Sequence, residues 1–465
     1  MKFKHQKETD LLAISPLDGR YAEKTHEVRS IFSEFGLMKY RVRVEISWLI
    51  TLSKCVDIVE IPPFSTQALE YLDSIANCFS LADAKKIKAL ESKTNHDVKA
   101  VEYFLKAKLS EHPETRTVSE FVHFACTSED INNLAYALML ILVRKQVVLP
   151  ALEQIIKQLE HLAGLYSEEP MLARTHGQFA SPTTVGKELA NVVARLRTGY
   201  IKFENIQIFG KCNGAVGNFN AHAVAYPNVD WLTLSQTFVE DFGLSYQEMT
   251  TQIEPHDGIS EFCHSLLRLN TVLLDLNRDF WTYISLDYFR QRVVKDEVGS
   301  STMPHKVNPI DFENSEGNIG IANAILGHLA EKLPVSRLQR DLSDSTALRN
   351  LGVGIGYSVI AYQTTLLGLN RVDLNRSALI YDLERSWEVL SEAIQTTMRR
   401  YGIDEPYEQL KKMTRGNKQI TAEMLHNFIQ QLPIPDEARE RLLQLSPTNY
   451  IGYASQLTQN SLSKN

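Results

Sequence analysis

The chain has 465 residues, of which 44% are hydrophobic and 23% are charged, so it can bury a substantial core. At about 150 residues per domain, this length suggests about three domains or one large elongated one. The formal net charge of −7 argues against a nucleic-acid-binding protein, because such proteins carry basic surfaces that neutralise phosphates.

The cysteines and the apolar segments favour a cytoplasmic protein. The five cysteines are widely spread and form no CxxC pair, which argues against a disulfide framework or a zinc site. The first residues, MKFKHQKETD, are polar and lack the apolar core of a secretory signal. The longest apolar run, LAYALMLILV at 134–143, is about half of what a membrane span needs, so it predicts a buried helix. We therefore expect interactions with neither membranes nor nucleic acids.

Helical periodicity dominates the chain, and convincing strand alternation is nearly absent. Apolar residues recur at steps of three and four at 149–162 and at 185–203. Further helices are predicted at 266–284, 319–329 and 353–367. Some of them are apolar on most faces, which is typical of helices inside a bundle or against other subunits. The predicted fold class is all-α.

Changes in this pattern predict three helical domains. The N-terminal domain covers 1–118, and long helices fill a central bundle domain at 119–369. Beyond it the sequence breaks into shorter amphipathic pieces, such as 382–401 and 422–432, with turn residues between them. These pieces form a C-terminal domain at 370–465.

Four polar stretches interrupt the helical pattern, and the first two have the character of helix starts. In KTNHDVKAVEYFL, Asn95 is predicted to cap the following helix, with His96 in its first turn. In FACTSEDINNL, Thr127 and Ser128 precede two acidic residues, as in a capping box. The N–H groups at such a helix start also bind carboxylates. Capping alone is the simpler explanation of both stretches, so the residues leave a binding role open.

The third stretch, ARTHGQFASPTTVGKE, contains a candidate for proton transfer. Ser181 and Pro182 are predicted to start a helix, because serine caps helices and proline favours their first position. His176 lies in the loop before it, next to a glycine, and an imidazole titrates in the range that suits proton transfer. A loop histidine that faces only water is the plain alternative.

The fourth stretch, GSSTMPHKVNP, combines a flexible segment with a cationic helix start. Asn308 and Pro309 are predicted to begin a helix, and Lys306 beside them makes a positive site for a carboxylate. The small residues at 299–302 suit a lid that moves. A flexible surface loop is the alternative, but it does not explain the lysine and the helix start that follow.

The sequence contains no Walker loop, dinucleotide fingerprint, HExxH or GxSxG motif. No group of carboxylates and histidines has the spacing of metal ligands. We therefore expect chemistry that needs neither a metal nor an organic cofactor.

Taken together, these stretches resemble a known superfamily. GSSTMPHKVNP is similar to the signature loop of the fumarase/aspartase superfamily, whose members release fumarate from a succinyl group. ISPLDGRY, TNHDVKAVEYF, HFACTSEDINN, RTHGQ, NGAVGN, TTQIEPHD and LPVSRLQRDLSDSTALRN are similar, in order, to segments of bacterial-type adenylosuccinate lyases. The resemblance runs from about Ile14 to Tyr453. Phe179 departs from it, because the family usually has proline there.

The resemblance implies a homotetramer of three-domain helical subunits, whose long central helices join in one bundle and whose active sites are shared between chains. It implies β-elimination of fumarate from adenylosuccinate, giving AMP, and from the succinylated carboxamide ribotide SAICAR, giving AICAR. It also implies a general base at Ser300 and a general acid at His176. The substrate-binding residues that it implies are Arg20, Tyr21, Asn95, His96, Asp97, Thr127, Ser128, Gln252, Ser301, Lys306, Val307, Asn308, Asn314, Arg340, Ser345, Thr346 and Arg349.

Other functions remain open on the signature loop alone. Argininosuccinate lyase, fumarase and aspartase share that loop, but none of them needs the phosphate pocket that the arginines near Arg20 and Arg340 suggest. A catalytically inactive relative with a binding role would be expected to lack the acid or the base. His176, Ser300 and Lys306 are all present, so we expect an enzyme.

Overall fold

The computed structural model describes residues 11–292, 302–303, 305–414 and 420–463, and these residues are predominantly helical, as predicted. The helices are α1 (His26–Phe32), α2 (Glu34–Lys54), α3 (Thr66–Asn77), α4 (Leu81–Thr94), α5 (Asp97–Leu109), α6 (Pro113–Arg116), α7 (Ser128–Val143), α8 (Leu149–Leu165), α9 (Val185–Glu204), α10 (Asn220–Ala225), α11 (Trp231–Glu240), α12 (Asp257–Ser285), α13 (Ile310–Lys332), α14 (Ser343–Leu348), α15 (Leu351–Leu369), α16 (Arg376–Glu384), α17 (Ser391–Arg400), α18 (Pro406–Thr414), α19 (Ala422–Gln430), α20 (Asp436–Leu443) and α21 (Ala454–Leu462). Short 3₁₀ turns lie at Ser119–Phe121 and Trp387–Leu390.

The strands are short, and those in the described ranges pair two by two. β1 (Pro170–Thr175) and β2 (Gln178–Thr184) are antiparallel, β3 (Phe209–Gly210) and β4 (Ser245–Tyr246) are parallel, and β5 (Phe289–Gln291) and β6 (Val372–Leu374) are antiparallel. The hairpin of β1 and β2 corrects the prediction that Ser181 and Pro182 start a helix. Both residues lie in β2, and α9 begins only at Val185. Helix-cap preferences depend only on neighbouring residues in the sequence, so they cannot detect that these two residues pair with another strand.

The chain forms two compact units. The first consists of Met1–Leu152, Gly199–Thr271 and Gly317–Gln363, and the second of Glu153–Thr198, Val272–Glu316 and Thr364–Asn465. Each unit takes segments that lie far apart in the sequence, so the units do not test the three domains at 1–118, 119–369 and 370–465. That division stays a prediction.

The predicted long helices are confirmed as parts of α8, α9, α12, α13 and α15. Their buried faces include polar side chains that satisfy one another. In the first unit, the Asn270 amide donates to Asn323 at 3.0 Å and to Ser358 at 2.9 Å, and Tyr362 donates to Asn270 at 2.6 Å. Because a buried amide without partners is costly, such bonds fix how these helices pack.

A second set of bonds does the same in the second unit. Asn277 donates to Ser315 at 2.9 Å, and the hydroxyls of Ser315 and Thr365 lie 2.7 Å apart.

Further along the chain, the predicted helical piece at 382–401 is wrong as a single helix. It comprises the end of α16, a 3₁₀ turn and α17.

The apolar run at 134–143 lies in α7, which continues through a π-helical turn at Arg144–Val148 into α8. Among the described residues, this segment (Ser128–Leu165) is the one helix long and apolar enough to cross a membrane, and 61% of its apolar window is buried within the protein. The core helix of a soluble protein has the same properties. Arg144 at the π turn donates to the carbonyls of Phe203 and Ile206, at 3.4 and 2.6 Å, and so caps the end of α9.

Candidate active site

The start of α7 is held by a buried aspartate. Thr127 caps the helix, and the Asp130 carboxylate accepts its backbone N–H at 2.8 Å, which confirms the predicted capping box. Asp130 also accepts the N–H groups of Asn213 and Gly214 at 3.0 and 3.1 Å, and it pairs with Lys211 at 2.9 Å. The side chains of Asp130 and Lys211 are both fully buried. Asp130 therefore ties the α7 start to the NGAVGN loop.

The stretch around His96 caps two helices in a way the sequence did not predict. Asn95 ends α4 in the left-handed conformation, with φ of 50°, instead of capping the following helix. His96 takes that role, because its imidazole accepts the Lys99 N–H at 3.1 Å at the start of α5. Asparagine is favoured at both kinds of helix end, so the prediction placed it one helix too late. Asn95 and His96 are exposed, and Asp97 is half-buried.

Four of the residues implied as substrate-binding come together in the first unit. Gln252 accepts from Arg340 at 3.1 Å, and Arg340 pairs with Glu129 at 2.9 Å. In a second pair, Arg349 lies 3.1 Å from Asp97. These contacts join residues that lie between 88 and 252 positions apart in the sequence.

Two further residues connect these pairs. Asn132 donates to Glu129 at 2.8 Å and accepts from Arg41 at 2.8 Å, and Arg41 pairs with Asp97 at 2.8 Å. Burial opposes ionisation of Asp97, but the neighbouring guanidinium groups, Arg41 foremost, hold the pKa of its carboxyl below the usual range. We call the connected set the charge network: Arg41, Asp97, Glu129, Asn132, Gln252, Arg340 and Arg349.

A buried histidine adjoins the charge network. The imidazole of His256 lies 3.3 Å from Glu254 and 3.6 Å from Asp344, and it is 1% exposed. Burial alone would lower the pKa of His256, but the carboxylates of Asp344 and Glu254 raise it to about 9. The ring is therefore charged at neutral pH. Asp344 also lies 3.9 Å from Arg340, so His256 balances charge where that arginine is held.

The N-terminal segment reaches the same region. Leu17 and Asp18, of the ISPLDGRY stretch, line a cavity of about 280 Å³ together with Arg349 and Gly352. Tyr21 packs against the apolar cluster that contains Leu17 and Tyr357. Arg20 is exposed. The structure thus places the segment that carries Arg20 and Tyr21 beside Arg349. Ser345 and Thr346 lie on the short helix α14.

His176 lies at the tip of the hairpin formed by β1 and β2. Thr175 pairs with Gln178, so the turn has two residues, His176 and Gly177, with φ of 54° and 75°. Positive φ at both positions is the type I′ pattern, which matches the twist of the strands. The imidazole is exposed and has no hydrogen-bond or ion-pair partner among the described residues. A local turn signal, His-Gly, would have revealed this hairpin, but we interpreted it as a loop before a helix.

The described part of the GSSTMPHKVNP stretch also belongs to the second unit. Lys306 is exposed, and the carbonyl of Val307 accepts from Gln291 at 3.0 Å. The helix predicted to start at Asn308 begins at Ile310 instead, because the Pro309 carbonyl accepts the first helical N–H groups. Asn314 is half-buried on α13. The predicted base, Ser300, and the neighbouring Ser301 lie outside the described residues.

One group of possible metal ligands occurs in the described part of the chain: Cys126, Asp130 and Cys212. All four donors described above for Asp130 point to its two oxygens, so its lone pairs are already used. Burial raises the pKa of Cys126 and of Cys212, which disfavours the thiolate that a metal requires. These three residues form a structural cluster under the α7 start.

The residues that support the predicted ones are not among the residues predicted from the sequence. Arg41 lies on the buried, mostly apolar face of helix α2. Charged residues at apolar positions of a helix are a signal of buried ion pairs, and it was available in the sequence. Asn132, Asp344 and His256 gave no such local signal.

Comparisons with known proteins agree with this architecture. The sequence profile of the lyase family matches residues 19–327, and the profile of the adenylosuccinate lyase C-terminal region matches residues 336–451. The chain is 56% identical over 449 residues to the adenylosuccinate lyase of Haemophilus influenzae, covering 97% of this chain and 98% of that one. It is equally identical over 446 residues to that of Escherichia coli K12, covering 96% and 98%.

Solved structures of more distant proteins share the fold. The fumarate lyase of Mesorhizobium sp. BNC1 superposes with a TM-score of 0.74 at 17% identity, covering 95% of this chain and 98% of that one. The 3-carboxy-cis,cis-muconate lactonizing enzyme of Pseudomonas putida gives 0.73 at 18% identity, covering 94% and 96%. These likenesses establish the fold alone. With the sequence matches, they lead to one conclusion: the chain belongs to the adenylosuccinate lyase family, within the fumarase/aspartase superfamily, and is a lyase.

Proposed function

We propose that this chain releases fumarate from adenylosuccinate, giving AMP, and from SAICAR, giving AICAR, as an enzyme of purine nucleotide biosynthesis. Family membership supports the proposal. The observation that carries it is the charge network, because it joins Asp97, Gln252, Arg340 and Arg349 from distant parts of the chain. A group of residues that includes two arginines suits a substrate that bears a phosphate and carboxylates.

The reaction is a β-elimination that needs a base and an acid. Ser300 removes the proton from the carbon beside one succinyl carboxylate, and negative charge accumulates on that carboxylate. The C–N bond then breaks while His176 protonates the leaving nitrogen. Serine is a weak base, so Lys306 and the start of α13 must supply the positive environment that activates it.

The remaining residues bind the two ends of the substrate. The succinyl carboxylates are bound by Thr127, Ser128, Ser301, Lys306 and Asn308. They also contact the backbone of Val307. A helix N-terminus such as the α7 start stabilises an anion, which supports this assignment. The phosphate and its surroundings contact Arg20, Tyr21, Arg340, Ser345, Thr346 and Arg349, and the rest of the substrate is positioned by Asn95, His96, Asp97, Gln252 and Asn314.

The working form is a homotetramer in the cytoplasm whose active sites combine residues of several chains. The exposed imidazole at the hairpin tip supports this, since a general acid needs a pocket that excludes water and the described residues provide His176 with no partner. No metal or organic cofactor takes part in the steps above.

An absorbance assay of the purified protein tests the proposal. Adenylosuccinate, argininosuccinate, malate and aspartate are offered in parallel, and fumarate formation is followed. We expect turnover of adenylosuccinate alone, because the other three carry no phosphate for the arginines. Turnover of argininosuccinate or malate at a comparable rate would assign the chain to a different activity of the superfamily. No turnover of any substrate by correctly folded protein would favour the inactive relative.

A further inference from the structure

We propose that Arg174, held by Phe179, Tyr288 and Asp382, is a positioning residue for His176. The inference rests on the proposed role of His176 as the acid, and it adds the group that directs the imidazole. All of these residues belong to the second unit.

The hairpin itself places Arg174 directly behind the turn. Thr175 and Gln178 close the two-residue turn, and Arg174 pairs with Phe179 as the next position along the ladder. Since the imidazole of His176 has no partner of its own among the described residues, its direction follows that of the hairpin tip. Any contact that fixes Arg174 therefore fixes the tip two residues away.

Contacts on two sides hold the guanidinium of Arg174. On one side, Nη2 lies 3.1 Å from the Asp382 carboxylate and 3.4 Å from the Tyr288 hydroxyl, which itself donates to Asp382 at 2.7 Å. On the other side, the guanidinium carbon lies 4.5 Å from the centre of the Phe179 ring. This is the geometry of a cation–π contact. The side chains of Arg174 and Asp382 are both about three-quarters shielded from solvent, so the pair is screened less than a surface pair.

The protonation of these groups keeps the arrangement constant over the working pH range. Burial and the bond to Asp382 raise the pKa of Tyr288 to about 12, so the phenol remains a hydrogen-bond donor. Arginine stays charged throughout.

A second anchor holds the hairpin farther from its tip. Ser181 donates to Glu392, and the same carboxylate accepts from Tyr450 at 3.0 Å. This anchor does not involve Arg174. Loss of the arginine contacts therefore leaves β2 attached to the protein and frees the turn, which lets the variants fold.

The position of Phe179 allows a mild test. Thr175 and Gln178 form the hydrogen-bonded pair that closes the turn, and the next pair, Arg174 and Phe179, is not hydrogen-bonded. The contribution of Phe179 to the hairpin therefore comes from its side chain. Phe179→Leu keeps an apolar side chain and removes the aromatic face. The matched control is Tyr407→Leu, because Tyr407 makes a cation–π contact with Lys411 at 5.6 Å on the separate helix α18.

The experiment measures kcat and KM for adenylosuccinate in Phe179→Leu, Asp382→Asn and Tyr407→Leu. We expect kcat to fall about two- to fivefold in Phe179→Leu, the size of a lost exposed cation–π contact. Asp382→Asn should lose about tenfold or more, because misdirection of a catalytic group is costly. KM should stay within about twofold in both variants, since neither residue binds substrate. Tyr407→Leu should match the unmodified protein.

A second background separates positioning from general damage. In a His176→Gln protein, the residual activity should be unchanged by Phe179→Leu, because the phenylalanine acts only through the imidazole. Equal loss in both backgrounds, or an unchanged kcat in Phe179→Leu and Asp382→Asn, would overturn the inference. If His176→Gln itself keeps full activity, the proposed acid is wrong instead, and the two failures are thereby distinguished.

Discussion

The charge network and the tip of the β1–β2 hairpin present their polar groups in opposite ways. In the network, each arginine meets a carboxylate within about 3 Å, and the connecting amide of Asn132 is used on both sides. At the tip, the imidazole of His176 has neither charge partner nor hydrogen bond among the described residues. The proposed binding groups are held in place before substrate arrives, whereas the proposed acid is held only through its backbone.

This difference has a chemical reason. Groups that bind a substrate gain from being fixed in advance, because less ordering remains at binding. A proton donor must instead keep its nitrogen free for the leaving group, so partners on the protein would compete with the reaction. The predictions that follow disturb one side of this comparison at a time.

The largest effect is expected at the acid and the base. His176→Ala or Ser300→Ala should lower kcat by about 10²–10⁴-fold, the usual contribution of general acid–base catalysis. Circular dichroism should be unchanged, since the imidazole supports no other residue in the described ranges. Near wild-type turnover in Ser300→Ala, together with loss in Ser301→Ala, would move the base by one residue.

The next effect concerns stability. Asp130→Asn should lower the free energy of unfolding by about 3–5 kcal/mol, because it leaves the buried Lys211 charge unpaired. Urea denaturation followed by circular dichroism measures this. Asp436→Asn is the matched control, since the Asp436 side chain remains 90% exposed in its ion pair with Arg439. Equal midpoints for the two variants would show that Asp130 is not the support of the α7 start.

Removal of a binding arginine should have a smaller effect. Arg20→Ala and Arg349→Ala should each weaken inhibition by AMP about tenfold or more, because the phosphate loses a charge-assisted hydrogen bond. The change should appear mainly in the inhibition constant and KM. Arg441→Ala, on the exposed face of α20, serves as the control. An unaltered inhibition constant in both variants would remove these residues from the phosphate site.

The last expected effect is a pH dependence of stability from His256. Its pKa is about 9 in the folded protein and about 6.5 in an unfolded chain. The stabilisation is therefore complete below about pH 6.5, declines as the pH rises, and is lost above about pH 9. His256→Gln should reduce the pH dependence of the unfolding midpoint between these two pH values. An identical pH profile in both proteins would mean that the imidazole is neutral when folded.

Sequence periodicity predicted the long helices because the spacing of their apolar residues follows directly from which side of each helix is buried. It failed at Ser181 and Pro182, where a strand partner overrides the preference for a helix cap, and at Asn95, which suits either end of a helix. The resemblance named residues such as Arg340 and Arg349 but not what supports them. Asn132 and His256 act through partners more than 85 positions away in the sequence, and such contacts leave no local pattern.

In the proposed tetramer, the acid His176 of one chain reaches a substrate held by other chains. Inactive His176→Ala and Ser300→Ala proteins are mixed in equal amounts under conditions of subunit exchange, and native mass spectrometry confirms mixed tetramers. Random mixing leaves about one site in four with both residues intact when they come from different chains. We therefore expect activity to return to about a quarter of the normal value. Mixed tetramers that remain as inactive as their parents would contradict it.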